Sequence, residues 1–68
     1  EKRMVNGYRK ISLFNHEIQV PKVPLRGEVE VHLIPDARRE ALEVRIWWEN
    51  HMVQSPVYPL REFPGVHF

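Results

Sequence analysis

The side chains that could do covalent chemistry in this chain are few and far apart. Ser12 and Ser55 are its two serines, and neither has the sequence surroundings of a nucleophilic serine. Threonine and cysteine are absent, and the three glycines are isolated turn residues, so there is no glycine-rich phosphate loop. We therefore expect a domain that is not an enzyme by itself.

The carboxylates and histidines give the same result. Glu28 and Glu30 would share one face of a strand, but the predicted register sets Glu30 opposite Arg45, which indicates a surface ion pair. The chain has four histidines, and they are scattered, while thiolate ligands are missing. The sequence predicts neither a metal site nor a cofactor.

Basic and aromatic residues point instead to a binding surface. Because side chains alternate along a strand, the phase of Val44 and Ile46 sends Trp48 inward and Trp47 outward, beside Arg45. Such a basic-aromatic pair can stack on bases or brace against a nucleic-acid backbone. Alternatively, Trp47 covers one end of the fold or packs on a neighbouring domain. The candidate DNA-contacting residues are Arg9, Lys10, Arg38, Arg39, Arg45 and Trp47.

Length and charge set limits on the domain that must position these residues. The chain has 68 residues, no cysteine, and ten Lys and Arg against nine Asp and Glu. That is room for one domain, held by an apolar core without disulfides. A net charge of +1 gives no strong global field, so a nucleic-acid contact needs a local patch. No apolar run is long enough for a membrane span.

We interpret the chain as a fragment of a larger protein, because it begins without methionine and ends in an apolar run. Residues 1–7 would be the end of a linker and the lead-in. Residues 8–68 would form one small β-barrel domain. The function could then belong to the larger protein.

Apolar and polar residues alternate in four segments, 11–13, 18–20, 29–33 and 42–48. This period of two predicts strands with one buried face. Pro35 is expected to end the third strand, and Pro59 to start a 3₁₀ turn before a last strand, Val66–Phe68. The predicted fold class is all-β: a small SH3-like barrel of five to six short antiparallel strands with a 3₁₀ turn before the last strand.

Three hairpins have predicted registers. Two-residue turns are expected at 15–16 and 50–51, since asparagine tolerates positive φ. The middle hairpin is aligned so that apolar residues share one face and opposite charges share the other. The predicted pairs are Leu13–Ile18, Leu33–Leu42, Trp48–Val53, His32–Glu43 and Glu30–Arg45.

Four segments resemble a known family. They are Val5–Phe14 (VNGYRKISLF), Ile18–Pro21 (IQVP), Gly27–Val31 (GEVEV) and Leu42–Ile46 (LEVRI). Together they resemble the C-terminal β-barrel of bacterial transposases and integrases of the DDE type, a retroviral-integrase-like domain. The resemblance covers nearly the whole chain, although its short alternating strands recur in many small barrels.

The resemblance implies a non-catalytic C-terminal DNA-binding domain whose parent carries the catalytic acids upstream. Its partners would be double-stranded DNA, at transposon ends or the target and mainly through phosphates, and other domains or copies of the parent protein. It would act in the bacterial cytoplasm, at the nucleoid, without a membrane. The nearly neutral charge leaves an alternative open, a protein–protein interaction barrel with little DNA affinity that docks through Trp47, Tyr58 and its proline-rich ends.

Overall fold

The computed structural model describes residues 1–64 and shows an all-β chain with antiparallel strands and a 3₁₀ turn near its C-terminal end. This confirms the predicted all-β class with antiparallel strands and the 3₁₀ turn that begins after Pro59. The predicted strand Val66–Phe68 lies outside the described residues. The elements are β1 Lys2–Met4, β2 Lys10–Leu13, β3 His16–Gln19, β4 Glu28–Asp36, β5 Ala41–Trp48, β6 His51–Gln54, β7 Val57–Pro59 and the 3₁₀ turn Leu60–Glu62.

The strands form two sheets rather than the closed barrel that the sequence predicts. The larger sheet has the order β1-β4-β5-β6, with β7 also paired to β5, and β2 pairs with β3 in a second sheet. Within residues 1–64 no backbone ladder joins the sheets. Side chains cross the gap instead: Arg3 Nε donates to the Ser12 carbonyl at 3.0 Å, and Gln54 Nε2 donates to the Gln19 carbonyl at 2.8 Å.

The core between the sheets consists of the apolar residues that alternate along the strands. Most predicted inward positions of β2, β4 and β5 are fully buried, whereas Leu33 and Trp48 pack against the core while partly exposed. Side chains from the connecting segments also enter the core, which the alternation could not indicate. The buried residues are Val5, Ile11, Leu13, Ile18, Val20, Val23, Val29, Val31, Leu42, Val44, Ile46 and Phe63.

All three predicted hairpin registers are wrong by two residues. Leu13 pairs with His16, Leu33 with Val44, and Trp48 with His51. The tight turns are therefore 14–15 and 49–50, with φ values of 48° and 66° in the first and 49° and 65° in the second. Two positive φ values define the turn whose twist matches the flanking strands, and each asparagine fills its second position.

The middle hairpin differs because β4 continues through Pro35 to Asp36. Pro35 is tolerated inside the strand because β1 pairs only with residues 28–30, so among residues 1–64 the other edge of β4 has no strand partner at Pro35. The hairpin closes over residues 37–40, where Oδ1 of Asp36 accepts hydrogen bonds from the backbone N–H groups of Arg38 at 3.1 Å and Arg39 at 3.3 Å. These two hydrogen bonds close the turn after Asp36, so β4 is longer than the sequence predicts.

The new register also changes the charge pairs on the outer face. His32 faces Arg45, and Glu30 faces Trp47, so the predicted pairs Glu30–Arg45 and His32–Glu43 are wrong. Arg45 instead bonds along its own strand to Glu43, with Nε 3.1 Å from Oε2. Glu30 lies 3.3 Å from Nε2 of His32 on β4. Ion pairs within one strand replace those expected across strands.

The first residues, expected as a linker, contribute a strand to the larger sheet. Arg3 of β1 pairs with Val29 of β4, and Val5 is 1% exposed. The pairing continues outward, since the backbone N–H of Val31 donates to the carbonyl of Glu1 at 2.6 Å. Residues 1–5 are therefore part of the sheet and its core.

The 3₁₀ turn joins the second sheet to the larger one. Nε2 of His16 lies 2.6 Å from the carbonyl oxygen of Glu62, and the His16 ring lies 4.6 Å from that of Phe63. Phe63 also contacts Phe14 and Tyr58 edge-on. Burial, and then the nearby negative charge of Glu62, raises the pKa of the Tyr58 hydroxyl. The β2–β3 turn is thus held by an aromatic cluster.

Two asparagines with different backbone roles test the turn assignment. Asn15 is exposed with φ 66°, so Asn15→Gly should leave the free energy of unfolding unchanged or raise it by up to about 1 kcal/mol. Asn6 is the matched control, because its Oδ1 accepts hydrogen bonds from two backbone N–H groups. Asn6→Gly should lower the free energy of unfolding by about 1 kcal/mol. Urea unfolding measures both, and equal effects would contradict the assignment.

Candidate nucleic-acid interface

The loop between β1 and β2 presents an aromatic and a basic side chain to solvent. The backbone N–H of Asn6 donates to the carbonyl of Lys10 at 2.9 Å, and that of Arg9 donates to the carbonyl of Asn6 at 3.0 Å. Oδ1 of Asn6 accepts from the N–H of Tyr8 at 2.9 Å. These bonds close the loop, with Arg9 at φ 58° and Tyr8 83% exposed.

The loop between β3 and β4 is fixed by buried valines. Val20 and Val23 are both fully buried, and the N–H of Val23 donates to the carbonyl of Val20 at 3.1 Å. The exposed residue Lys22 lies between these anchors, and the exposed Arg26, with φ 64°, follows them. The apolar anchors therefore position two cations in solvent.

Backbone hydrogen bonds hold these two loops side by side. The N–H of Val20 donates to the carbonyl of Arg9 at 2.8 Å, and the N–H of Arg26 donates to the carbonyl of Val5 at 2.9 Å. Arg9 also reaches the carbonyl of Pro21 through Nη1 at 3.5 Å. We call the exposed aromatic and basic side chains of these loops, Tyr8, Arg9, Lys22 and Arg26, the loop surface.

The charges of the loop surface are not neutralised within the described part of the chain. Residues 6–9 and 20–27 contain no acidic residue. Five other cations of residues 1–64 each form an ion pair with a carboxylate, whereas those of the loop surface form none. An unpaired cation keeps its full charge for a phosphate. The paired cations are Lys2, Arg3, Lys10, Arg39 and Arg45.

Lys10 and Arg39, two of the candidate residues, each pair with a carboxylate. Nζ of Lys10 lies 3.8 Å from Oε2 of Glu17. In the β4–β5 turn, Nε of Arg39 lies 3.8 Å from Oδ2 of Asp36, and Arg38 has no ion pair among residues 1–64. The turn segment 36–40 carries two acids and two arginines, so its net charge is zero. The turn offers a phosphate less attraction than the loop surface does.

Arg45 and Trp47 lie together on the outer face of β5, as the alternation predicts. Both guanidinium contacts of Arg45 go to Glu43, at 3.1 and 3.3 Å. Trp47 is half-buried, with its ring 5.7 Å from that of His32. From the β4–β5 turn to Trp47 the strand extends about 20 Å. The six predicted residues therefore lie in three separate places.

Sequence reasoning missed two members of the loop surface, Lys22 and Arg26. The chain does contain a signal for them. Residues 18–27 carry both cations and no acid, and Pro21 and Pro24 keep this segment out of a strand. The proximity of the segment to Arg9 could not be inferred, since it depends on hydrogen bonds between loops that are distant in sequence.

Two further kinds of site are absent from residues 1–64, a metal site and a membrane-spanning helix. No group of three or more His, Cys, Asp or Glu side chains could hold a metal ion there. That part of the chain has no helix long and apolar enough to cross a membrane. The chain matches no protein-family model, no curated protein and no solved structure.

Gly27 tests the framework that positions the loop surface. A Cβ on Gly27 would lie 2.7 Å from Cγ1 of Val23 and 2.9 Å from the carbonyl oxygen of Pro24. Because Val23 is a buried anchor, Gly27→Ala should lower the free energy of unfolding by about 1–3 kcal/mol. Gly7→Ala is the control, since a Cβ there meets nothing within 4 Å. Thermal unfolding measures both, and a Gly27→Ala chain as stable as the Gly7→Ala chain would rule out this packing.

Proposed function

We propose that this chain is a non-catalytic C-terminal DNA-binding domain of a DDE-type transposase or integrase, and that it contacts the phosphates of double-stranded DNA through the loop surface. The observation that carries the DNA contact is the charge of the two adjacent loops. Arg9, Lys22 and Arg26 are exposed, have no ion pair among residues 1–64, and lie on segments without acids.

The loop surface concentrates charge that the whole chain does not have. Its three cations exceed the net charge of +1, because carboxylates elsewhere outnumber the remaining cations. Phosphate contacts of this kind release condensed counterions and attract DNA of any sequence. The exposed ring of Tyr8 adds a flat surface and a hydroxyl group beside these cations.

The family part of the proposal is supported by the sequence resemblance. It depends on the segments VNGYRKISLF, IQVP, GEVEV and LEVRI, and the all-β fold with a 3₁₀ turn agrees with it. In this proposal the catalytic acids lie in another part of the parent protein. The domain then holds DNA in the bacterial cytoplasm, at the nucleoid, and helps assemble the transposition complex.

A second candidate function is protein–protein interaction, and one observation favours it. Met4 and Val57 are each 63% exposed and Met52 is 48% exposed, all on the outer face of the larger sheet. Exposed apolar side chains on one face are typical of a docking surface. This role is compatible with DNA binding, because the loop surface consists of other residues.

Salt dependence of duplex binding tests the DNA contact. We expect the chain to bind a 20-base-pair duplex, with affinity falling at least about tenfold between about 50 and 200 mM salt. The triple variant Arg9→Ala/Lys22→Ala/Arg26→Ala should bind more weakly. It should also lower the slope of log affinity against log salt by about 2–3, because each phosphate contact contributes about 0.9. Fluorescence anisotropy of a labelled duplex measures both quantities.

The matched control removes the same number of charges from the opposite region. Arg38→Ala/Arg39→Ala/Arg61→Ala should keep the slope of the unaltered chain, since acids surround these positions. If only this second variant lowers the slope of log affinity against log salt, the DNA contact lies at the β4–β5 turn instead. If the folded chain binds no duplex at about 50 mM salt, DNA binding is refuted for it.

A further inference from the structure

A cleft of about 400 Å³ lies on the outer face of the larger sheet. It lies where β1 and β4 meet the end of β5 and the turn after it. The residues that give it its chemistry are Lys2, Glu28, Glu30, His32, Trp47 and Glu49. None of them belongs to the loop surface, so the cleft is a separate site.

The cleft is acidic. Three glutamates line it against one lysine. Lys2 Nζ lies 3.8 Å from Glu28 Oε1, and both side chains are mostly exposed. His32 Nε2 lies 3.3 Å from Glu30 Oε1, whereas Glu49 forms no ion pair among residues 1–64. This excess of negative charge repels phosphate and attracts a cation.

Trp47 forms the aromatic part of the cleft and has an unused hydrogen-bond donor. Its indole N–H is buried and has no partner in the described part of the chain. The N–H is closed off from solvent, so a ligand in the cleft meets other atoms of the Trp47 ring. Glu30 lies beside Trp47 on β4, and Met52 lies beside it on β6.

Apolar side chains border the acidic residues on both sides. Met4 pairs with Glu28 at one edge, and Met52 pairs with Trp47 at the other. Both methionines are about half exposed or more. A small cation would use only the carboxylates, whereas a peptide can place apolar side chains on the methionines as well.

We propose that this cleft binds an arginine or lysine side chain of a partner protein segment, with the apolar neighbours of that residue on Met4 and Met52. The carboxylates of Glu30 and Glu49 pair with the cation, and the Trp47 ring lies beside it. This inference does not depend on DNA binding, since it uses other residues and the opposite charge.

Nuclear magnetic resonance on the chain tests the proposal with two blocked six-residue peptides. One contains two arginines and two leucines, and the other has glutamine in place of both arginines. Trp47 and Trp48 give the two indole N–H signals of the chain, and Trp48 packs against the core, so it serves as an internal reference. The arginine peptide should shift the Trp47 signal saturably, and the glutamine peptide should not.

Charge variants test the carboxylates. Glu30→Gln/Glu49→Gln should weaken the arginine peptide by about fivefold or more, because each exposed ion pair contributes up to about fivefold in affinity. Glu17→Gln/Glu62→Gln removes two charges outside the cleft and should leave the affinity unchanged.

The proposal fails if millimolar arginine peptide leaves the Trp47 indole N–H signal unchanged, or if both peptides shift that signal equally. It also fails if duplex DNA shifts Trp47, because the cleft is then part of the DNA contact. If the Glu30→Gln/Glu49→Gln chain does not fold, the comparison of the two peptides on the unaltered chain still tests the proposal. The anisotropy measurement on Arg9→Ala/Lys22→Ala/Arg26→Ala tests DNA binding independently of the peptide experiment.

Discussion

Within residues 1–64, the fold depends on apolar burial between two sheets that share no backbone ladder. Without cysteine, and with separate sheets within residues 1–64, the aliphatic core supplies the main attraction between them. Side-chain bonds such as Gln54 to the Gln19 carbonyl cross the gap, but they are exposed and contribute modestly. Both candidate surfaces rely on this core. Val20 and Val23 anchor the loop surface from inside, and Val29 of β4 lies behind the cleft.

Charge separation gives the near-neutral chain two different surfaces. Within one strand, neighbours on the same face neutralise each other, as Glu43 does Arg45. In the loops β1–β2 and β3–β4, no carboxylate accompanies the cations, and both loops stay basic. Beside Trp47 the carboxylates outnumber the cation and the cleft stays acidic. A basic and an acidic surface on one small domain suit a module that holds DNA and a protein partner at the same time.

The sequence predicts the strands and the buried faces because a period of two is a strong local signal. It does not predict the registers, since moving a partner by two residues keeps every side chain on its own face. Leu13 is buried whether it pairs with Ile18 or His16, and only the backbone of the turn decides. The alternation likewise places Trp47 on the outer face of β5, but it does not show which residues lie beside Trp47 or Arg9. Those neighbours depend on register and on contacts between loops.

The bond between His16 and the Glu62 carbonyl joins residues 46 apart in sequence. The hairpins β2–β3, β4–β5 and β5–β6 close over short turns, so their formation costs little conformational entropy. The His16 contact needs the longest closure of these, so it should form last during folding. The aromatic cluster around Phe63 would then be a late step, added to sheets that already exist. A fluorescent or isotopic reporter at Phe63 would follow the completion of folding rather than its beginning.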